Sequence, residues 1–232
     1  VDQIYYRDEA GLYVNLYVPS TATLDIGGVK VTAVQRTRFP ADDTTAITLG
    51  MATPARFAVG FRVPGWLSDP MEVRVTGRPA RRRSVDGWLM VERAWGDGDR
   101  IRVRTPMGLW SSSFDPGAPC PAAVLFGPTV LAFRAEDPQP LTRMDLNQLN
   151  KELEPVVGEA LTWRLRRSPG VLARPLSAYE EGEPYFVYVA PRMPLWIPSS
   201  ELRYEGEWPV SFDVTRATPN IGESVWATFR GT

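Results

Sequence analysis

The stretch from Val91 to Thr105 most strongly limits what this chain can fold into. Its centre, Gly96-Asp97-Gly98-Asp99, joins two glycines, which accept backbone angles that other residues avoid, to two aspartates that can bond their own backbone. After it, Arg100 to Arg104 alternates arginine with β-branched residues, which places Ile101 and Val103 on a buried face and the arginines in water. The stretch predicts a β-hairpin, or a tight pair of strands, on the half-exposed face of a sheet.

Other short alternating segments recur about every 8 to 12 residues and are separated by turn residues, a pattern typical of an all-β sandwich or barrel. An N-terminal hairpin is predicted over residues 4–18, with Leu12, Val14, Leu16 and Val18 on one face. Further strands are predicted at Val29–Arg36, Ala46–Gly50, Arg56–Val63, Glu72–Thr76, Ala122–Phe126, Thr129–Phe133, Leu161–Leu165 and Tyr185–Val189.

One helix is predicted, from Leu141 to Leu153, because its apolar residues form a rough stripe before Pro155. The loop rich in Ser, Pro and Gly over residues 107–121 interrupts the strand pattern. We therefore expect two antiparallel, jelly-roll-like β-sandwiches in tandem, at 1–120 and 121–198. A linker and a partial third domain are expected at 199–232. The chain begins at Val1 without a methionine, and we expect it to be a piece of a longer protein.

Composition excludes several classes of function. The chain has no histidine, which removes Ser-His and Cys-His nucleophiles and the commonest zinc ligand. Cys120 is the only cysteine, so an internal disulfide is excluded, and this loop thiol is expected to be inert. With 26 basic and 27 acidic residues, the charge gives no support for nucleic acid or an anionic membrane as a partner. No apolar run approaches the roughly 20 residues that span a bilayer.

Charged clusters offer weak candidates for chemistry. Asp97-Gly98-Asp99 resembles the opening of a calcium loop, but Arg100 follows where further oxygen ligands are needed, so a turn is favoured. The acidic pairs Asp8/Glu9, Asp42/Asp43 and Glu180/Glu181 could serve a glycosidase, although all lie in turn-like polar segments. The basic run Arg81–Arg83 is expected to be a solvated loop.

Polar and aromatic side chains give two further candidates. Asn15 lies in an apolar strand, where a satisfied amide is favoured over a ligand-facing one. The tryptophans Trp66, Trp110 and Trp208 could stack on the apolar faces of sugar rings, although packing in a core or between domains is the commoner role of tryptophan.

Several motifs in the same order resemble the beta-L-arabinofuranosidase-like glycoside hydrolases, a family first known as a domain of unknown function. The resemblance covers roughly residues 4 to 133 and is looser from 134 to 190. The matching segments are Gly11-Leu12-Tyr13-Val14-Asn15-Leu16-Tyr17-Val18-Pro19-Ser20, Gln35-Arg36-Thr37-Arg38-Phe39-Pro40, Phe61-Arg62-Val63-Pro64-Gly65-Trp66, Val91 to Ile101, and Leu125-Phe126-Gly127-Pro128.

The resemblance implies a particular place in a larger enzyme. Members of the family carry an (α/α) barrel first and β-sandwiches after it, and their catalysis is attributed to a cysteine nucleophile at a zinc site in the barrel. None of those positions matches this chain, so the fold is carried over and the active site is not. We expect no catalytic residue, metal site or cofactor here, and a role as scaffold and interface for the N-terminal barrel.

Two alternatives stay open beside that role. The second sandwich can contribute to dimer contacts in the family, so a homodimer is a candidate partner. Carbohydrate binding through exposed tryptophans is the other candidate function. The tail, with Tyr204-Glu205-Gly206-Glu207-Trp208 and Val225-Trp226-Ala227-Thr228-Phe229, resembles the opening strands of a galactose-binding-like jelly roll. Such a fragment cannot close its own core.

Overall fold

The structure is a computed structural model that describes residues 3–113, 121–134 and 143–192, together with the backbone of 210–211 and 230–231. The chain divides into two compact units, Val1–Arg192 and Met193–Thr232. Strands make up most of the described elements, beside one α-helix of four residues and one 3-10 turn, Leu176–Ala178. The prediction of an all-β protein with at most one short helix is therefore confirmed. Within the described residues, no helix has the length and apolar character to cross a membrane.

The N-terminal part folds into two facing sheets. Its strands are β1 (Tyr5–Arg7), β2 (Gly11–Val14), β3 (Ser20–Ile26), β4 (Val29–Thr37), β5 (Thr44–Met51), β6 (Ala55–Arg62), β7 (Glu72–Val75), β8 (Arg78–Pro79), β9 (Arg83–Val85), β10 (Trp88–Trp95) and β11 (Arg100–Arg104). Sheet A has the strand order β1-β2-β6-β10-β9, and sheet B has the order β3-β4-β5-β11-β7-β8. Neighbouring strands are antiparallel except for β2 and β6, which are parallel. These strands form the first sandwich.

Alternating side chains of both sheets form one hydrophobic core. Trp95 is fully buried at the end of β10, and its Nε1 donates a hydrogen bond to the carbonyl oxygen of Phe57 at 3.0 Å. Burying one large apolar side chain contributes about 1.5–3 kcal/mol, so this core is the main source of stability here. The largest fully buried side chains of this core include Trp95, Phe61, Leu12, Ile47, Leu49 and Ile101.

The predicted hairpin between β10 and β11 is wrong. Strand β10 pairs with β6 and β9 in sheet A, whereas β11 pairs with β5 and β7 in sheet B. The turn between them crosses from one sheet to the other because it is bonded to β5. Gly98 N donates to Leu49 O at 2.8 Å, and Met51 N donates to Asp97 Oδ1 at 3.0 Å. The predicted alternation of β11 is confirmed, with Ile101 and Val103 buried and the arginines exposed.

The N-terminal hairpin forms as predicted but is shorter. Strands β1 and β2 pair with Tyr5 opposite Val14, and the pairing ends there. The backbone N–H groups of Asn15 and Leu16 both donate to Ile4 O, at 2.9 and 3.3 Å, which closes the ladder. The predicted faces are therefore wrong beyond Val14, since Leu16 is 41% exposed and Tyr17 is buried.

The C-terminal part of the first unit forms sheet C around a second hydrophobic cluster. Sheet C has the order β15-β20-β13-β14-β18-β17-β16, with β12 beside β13 and β19 beside β14. Its fully buried side chains include Leu131, Phe133, Met144 and Leu153. The elements are β12 (Leu109–Ser113), β13 (Ala122–Phe126), β14 (Thr129–Arg134), β15 (Arg143–Met144), α1 (Leu149–Glu152), β16 (Leu153–Pro155), β17 (Trp163–Leu165), β18 (Ser168–Pro175), β19 (Tyr185–Phe186) and β20 (Tyr188–Pro191).

The predicted helix from Leu141 to Leu153 is wrong in its extent. Only α1 is helical, β15 precedes it, and β16 begins at Leu153. Asp145 explains the late start, because its Oδ1 accepts a hydrogen bond from Asn147 N at 3.1 Å and so forms a local turn instead of a helix. Residues 141 and 142 lie outside the described part of the chain.

Strand β12 precedes the expected domain division at residue 120 and pairs with β13, which follows it. The division at 1–120, 121–198 and 199–232 stays a prediction. In the second unit the structure describes only β21 (Val210–Ser211), which pairs with β22 (Arg230–Gly231). Cys120, Trp208 and the rest of the predicted galactose-binding-like segment lie outside the described residues.

Candidate functional site

Three aromatic side chains lie together on one part of the outer face of sheet A. Tyr6 of β1 lies opposite Tyr13 of β2 in the strand register. The Trp88 ring of β10 meets the Tyr13 ring edge to face, with centroids 5.3 Å apart and an angle of 77°. Tyr6 approaches the same indole at 6.5 Å and 80°, and it is 45% exposed. We call Tyr6, Tyr13 and Trp88 the aromatic face.

Gly60 allows Tyr13 of the aromatic face and Met90 to pack directly against the sheet. It lies between Tyr13 of β2 and Met90 of β10 in the register. A Cβ atom at Gly60 would lie 2.7 Å from Tyr13 Cδ1 and 2.8 Å from Met90 Sδ. Met90 is consequently buried although it lies on the outer side of the sheet. An apolar layer therefore exists outside the main core.

Two polar side chains at the border of the aromatic face, Asp8 and Asn15, are hydrogen-bonded. Tyr13 OH donates a hydrogen bond to Asp8 Oδ2 at 2.9 Å, and partial burial, with Asp8 as a further cause, raises the pKa of Tyr13. Asn15 is a satisfied amide, since its Nδ2 donates to Gln3 O at 2.7 Å and its Oδ1 accepts from Arg62 Nη1 at 3.1 Å. A cleft of about 310 Å³ lies beside Trp88.

Arginines dominate the outer face of sheet B. In one row across the strands, Arg36 of β4 lies opposite Ala46 of β5, Ala46 opposite Arg102 of β11, and Arg102 opposite Arg74 of β7. Arg100 lies two residues before Arg102 on the same outward side of β11. The buried residues Ile101 and Val103 fix the strand and therefore fix the arginines outward. These four arginines line a groove of about 1130 Å³, which we call the arginine groove.

One end of the arginine groove contains ion pairs. Arg104 Nε lies 2.7 Å from Asp43 Oδ2 and its Nη1 lies 3.4 Å from Glu72 Oε1, and Arg38 pairs with Asp42 at 3.2 Å. Hydrogen bonding to Asp43 raises the pKa of Arg104. The pKa of Asp42 is lowered mainly by the hydrogen bond from the N–H of Thr44 and secondly by the hydrogen bond from Arg38.

The other arginines of the groove are unpaired. The guanidinium groups of Arg36, Arg74, Arg100 and Arg102 make no hydrogen bond or ion pair with any described residue. Six arginines and three carboxylates line the groove, an excess of three positive charges in a chain whose formal net charge is -1.

Residues 11–107, from β2 to just beyond β11, match the family model of the GH127 middle domain of beta-L-arabinofuranosidases. This segment is similar to the GH127 middle domain. The matched residues include Tyr13, Trp88 and the whole arginine groove, and Tyr6 lies just before them.

Solved structures of larger proteins share the fold. A GH127 beta-L-arabinofuranosidase from Geobacillus stearothermophilus T6 is 23% identical with a TM-score of 0.63, and the match covers 82% of this chain and 35% of that one. A structure described as a glycoside hydrolase is 18% identical with a TM-score of 0.64, with coverage of 82% and 37%. A GH127 beta-arabinofuranosidase is 18% identical with a TM-score of 0.62, with coverage of 82% and 36%. No curated protein matches the chain significantly.

These matches also show how much of each solved structure the chain covers. It spans only 35–37% of the length of the matched structures, so the first sandwich and sheet C correspond to about a third of each of those longer chains. At these identities the structures show the shared fold.

Two of the three predicted tryptophan sites, Trp66 and Trp110, have structural partners of their own. Trp66, in the turn after β6, stacks on Phe39 with centroids 5.9 Å apart and an angle of 24°. Trp110 of β12 donates from Nε1 to Gly127 O at 2.7 Å. Both are half-buried. Sugar binding by Trp66, Trp110 or Trp208 stays a prediction, and sequence reasoning did not select Tyr6, Tyr13 or Trp88, which form the aromatic face.

Among the acidic residues considered for catalysis, Asp8, Asp42 and Asp43 are engaged in turns and ion pairs. Asp8 Oδ1 accepts from the N–H groups of Ala10 and Gly11, at 2.8 and 2.7 Å. Asp99 Oδ2 accepts a hydrogen bond from Gly96 N at 2.9 Å, and Asp97 Oδ1 accepts one from Met51 N at 3.0 Å. Both aspartates therefore stabilise the turn. Within the described part of the chain, no group of three or more acidic, cysteine or histidine side chains is arranged to hold a metal. The run Arg81–Arg83 is exposed.

Proposed function

We propose that the chain is the non-catalytic accessory portion of a glycoside hydrolase that acts on arabinose-type or related glycosides. Three facts support this: residues 11–107 match the family model of the GH127 middle domain, matched structures carry the same fold, and the chain spans about a third of their length. In this proposal the domains are those expected from the sequence, at 1–120, 121–198 and 199–232, and cleavage of the glycosidic bond takes place in the N-terminal catalytic barrel.

The aromatic face of sheet A carries the proposal. Interfaces between protein surfaces are enriched in aromatic residues, and Tyr6, Tyr13 and Trp88 form such a surface outside a core that is already complete. The perpendicular rings of Tyr13 and Trp88 offer no single flat platform for a run of sugars. We propose that this face packs against the catalytic barrel of the same hydrolase.

The scaffold role predicts self-association of the isolated chain through the aromatic face, because an uncovered apolar patch favours contact with a second copy. In sedimentation velocity at rising concentration, we expect the chain to form dimers and Trp88→Ala to shift it to monomer. Tyr188→Ala is the matched control, since Tyr188 is an exposed aromatic residue of sheet C, and it should leave the dimer unchanged. A strictly monomeric chain at high concentration would contradict the proposal.

Carbohydrate binding is the second candidate, favoured by the cleft of about 310 Å³ beside Trp88, Arg83 and Asp86. Intrinsic fluorescence during titration with arabinose-containing oligosaccharides separates the two candidates. The scaffold role predicts no change in emission. Saturable quenching that is lost in Trp88→Ala would favour carbohydrate binding instead. The scaffold role also predicts no hydrolysis of aryl arabinosides by the purified chain.

A further inference from the structure

We propose that the arginine groove of sheet B binds a carbohydrate chain that carries carboxylate groups, a uronate oligosaccharide. The groove lies on the outer face of sheet B, whereas the aromatic face lies on sheet A. The inference therefore does not depend on what covers the aromatic face. It rests on three features of the groove as the described residues form it: arginines in a fixed array without a partner among those residues, acceptor groups at one end, and a lining without aromatic side chains.

The array places like charges together. Arg102 lies directly opposite Arg74 on the neighbouring strand, where like charges destabilise a sheet. The strands cannot slip to separate them, because Val73, Val75 and Val103 are buried in the core on the other side. A local conflict of this kind, without a compensating partner in the described chain, is expected at functional sites. A bound anion would relieve it.

The surface of sheet B between the arginines carries only a small side chain. Ala46 is the residue between Arg36 and Arg102 in the row, and its small exposed side chain leaves space above the sheet. Neighbouring strands lie about 4.8 Å apart, so the guanidinium groups of the row are spread over roughly 15 Å. Such a spread suits an extended ligand with several charges better than one small ion.

The chemistry of the groove selects the ligand. A guanidinium group presents a planar fork that matches a carboxylate in a bidentate pair. At the other end, Asp43 and Glu72 share Arg104 and retain acceptor capacity for hydroxyl groups, since an ionised carboxylate has about four lone-pair sites. A ligand with both carboxylates and hydroxyls can satisfy both ends, with its carboxylates on the arginines and its hydroxyls on the acids.

Other polyanions fit less well. The described residues that line the groove include no aromatic side chain, and their large apolar member, Ile101, is buried in the core. Protein partners need buried aromatic or aliphatic anchors at the centre of an interface. Single-stranded nucleic acids need aromatic side chains on which the bases stack. An acidic protein segment and a nucleic acid are therefore disfavoured.

Isothermal titration calorimetry with a galacturonate hexamer tests the proposal on the full 232-residue chain. We expect saturable binding that weakens as salt is raised, and no binding of the fully methyl-esterified hexamer, which has the same shape without the charge. The double variant Arg74→Ala/Arg102→Ala should weaken binding about tenfold or more. Arg82→Ala, an exposed arginine outside the groove, is the matched control and should bind as the parent does.

Four results would overturn the proposal: no binding of the hexamer, equal binding of its methyl ester, unchanged binding by the double variant, or equally tight binding of hexaglutamate, which would indicate an acidic peptide site. Far-UV circular dichroism checks that the double variant is folded. Arg36→Ala/Arg100→Ala removes the other pair of unpaired arginines and should also weaken binding about tenfold. Unchanged binding by this second variant would contradict the proposal as well.

Discussion

The two outer faces of the first sandwich differ sharply, although both sheets close the same core. On sheet A, Tyr13 and Trp88 form an apolar layer beside the hydrogen-bonded side chains of Asp8 and Asn15. On sheet B, Arg74 and Arg102 lie opposite each other without a partner in the described chain. The core determines only the inward half of each strand. The outward half is available for interaction, and here the two sheets carry different chemistry.

The comparison assigns the two faces different partners. An aromatic surface gains most from excluding water against another protein surface, whereas an array of unpaired guanidinium groups gains most from meeting anions. Changes in the shared core should therefore affect both faces, and changes on one outer face should leave the other intact.

The largest effect is expected from Trp95→Ala, which removes the largest fully buried side chain of the shared core. The loss of burial and of the hydrogen bond to Phe57 O should lower the free energy of unfolding by about 3–5 kcal/mol. Urea unfolding followed by circular dichroism measures it. Arg82→Ala should stay within about 0.5 kcal/mol of the parent. A loss below about 1 kcal/mol in Trp95→Ala would show that the two sheets do not depend on a common core.

Gly11→Ala should damage sheet A selectively. Its new Cβ would collide with the backbone carbonyl of Ala58, the residue opposite on the parallel strand β6, and the backbone cannot move aside cheaply. We expect a loss of about 1–3 kcal/mol in unfolding free energy. Gly65→Ala is the control, since its Cβ would meet nothing within 4 Å. If Gly11→Ala weakened binding of the galacturonate hexamer more than self-association, the separation of the two faces would fail.

Arg102→Ala should stabilise the fold slightly, because it removes a like charge opposite Arg74. We expect a gain of about 0.2–1 kcal/mol at low salt that disappears at high salt. Arg104→Ala is the informative contrast, since Arg104 is paired with Asp43 and Glu72, and its removal should lower stability. Thermal unfolding at two salt concentrations measures both. Destabilisation by Arg102→Ala that persists at high salt would mean that Arg102 has a structural role.

The smallest effect is expected in the pH dependence of folding stability, through Asp42 at the acidic end of the arginine groove. The pKa of Asp42 is lowered from 3.8 by the N–H of Thr44 and by Arg38, so the unfolded chain takes up its proton first as the pH falls. The stability that ionised Asp42 contributes is present above about pH 4 and is lost as the pH falls through the lower pKa of Asp42 in the folded state.

Asp42→Asn should therefore melt at a lower temperature than the parent at pH 6, and the difference should shrink toward pH 2. In the Asp42→Asn background, Arg38→Ala should cause no further loss. A constant difference across the pH range would show that the charge of Asp42 is not involved.

The sequence predicted what depends on a single strand. The alternation of Ile101 and Val103 with arginines identified both the buried and the exposed side of β11, and Val73 and Val75 did the same for β7. It did not predict the partner of β11, because pairing with β5 is decided by the bonds of Asp97 and Gly98 to that strand. A turn motif specifies a change of direction, and it does not specify whether the next strand joins the same sheet.

The sites were harder to predict for the same reason. The outward position of Tyr13 and Trp88 could be recognised from strand parity, but their contact requires the order β2-β6-β10 in sheet A. The row of Arg36, Arg74 and Arg102 spans three strands that are far apart in sequence, so it exists only once the register is known. Single tryptophans such as Trp66 gave no information on which ring finds a partner.

The central claim is that the two sheets of the first sandwich serve two different interactions. The most direct test measures self-association and binding of the galacturonate hexamer on the same two variants. We expect Trp88→Ala to lose self-association and keep hexamer binding, and Arg74→Ala/Arg102→Ala to keep self-association and bind the hexamer about tenfold more weakly or worse. The claim would be contradicted if either folded variant were impaired in both interactions. It would also be contradicted if both variants kept both interactions unchanged.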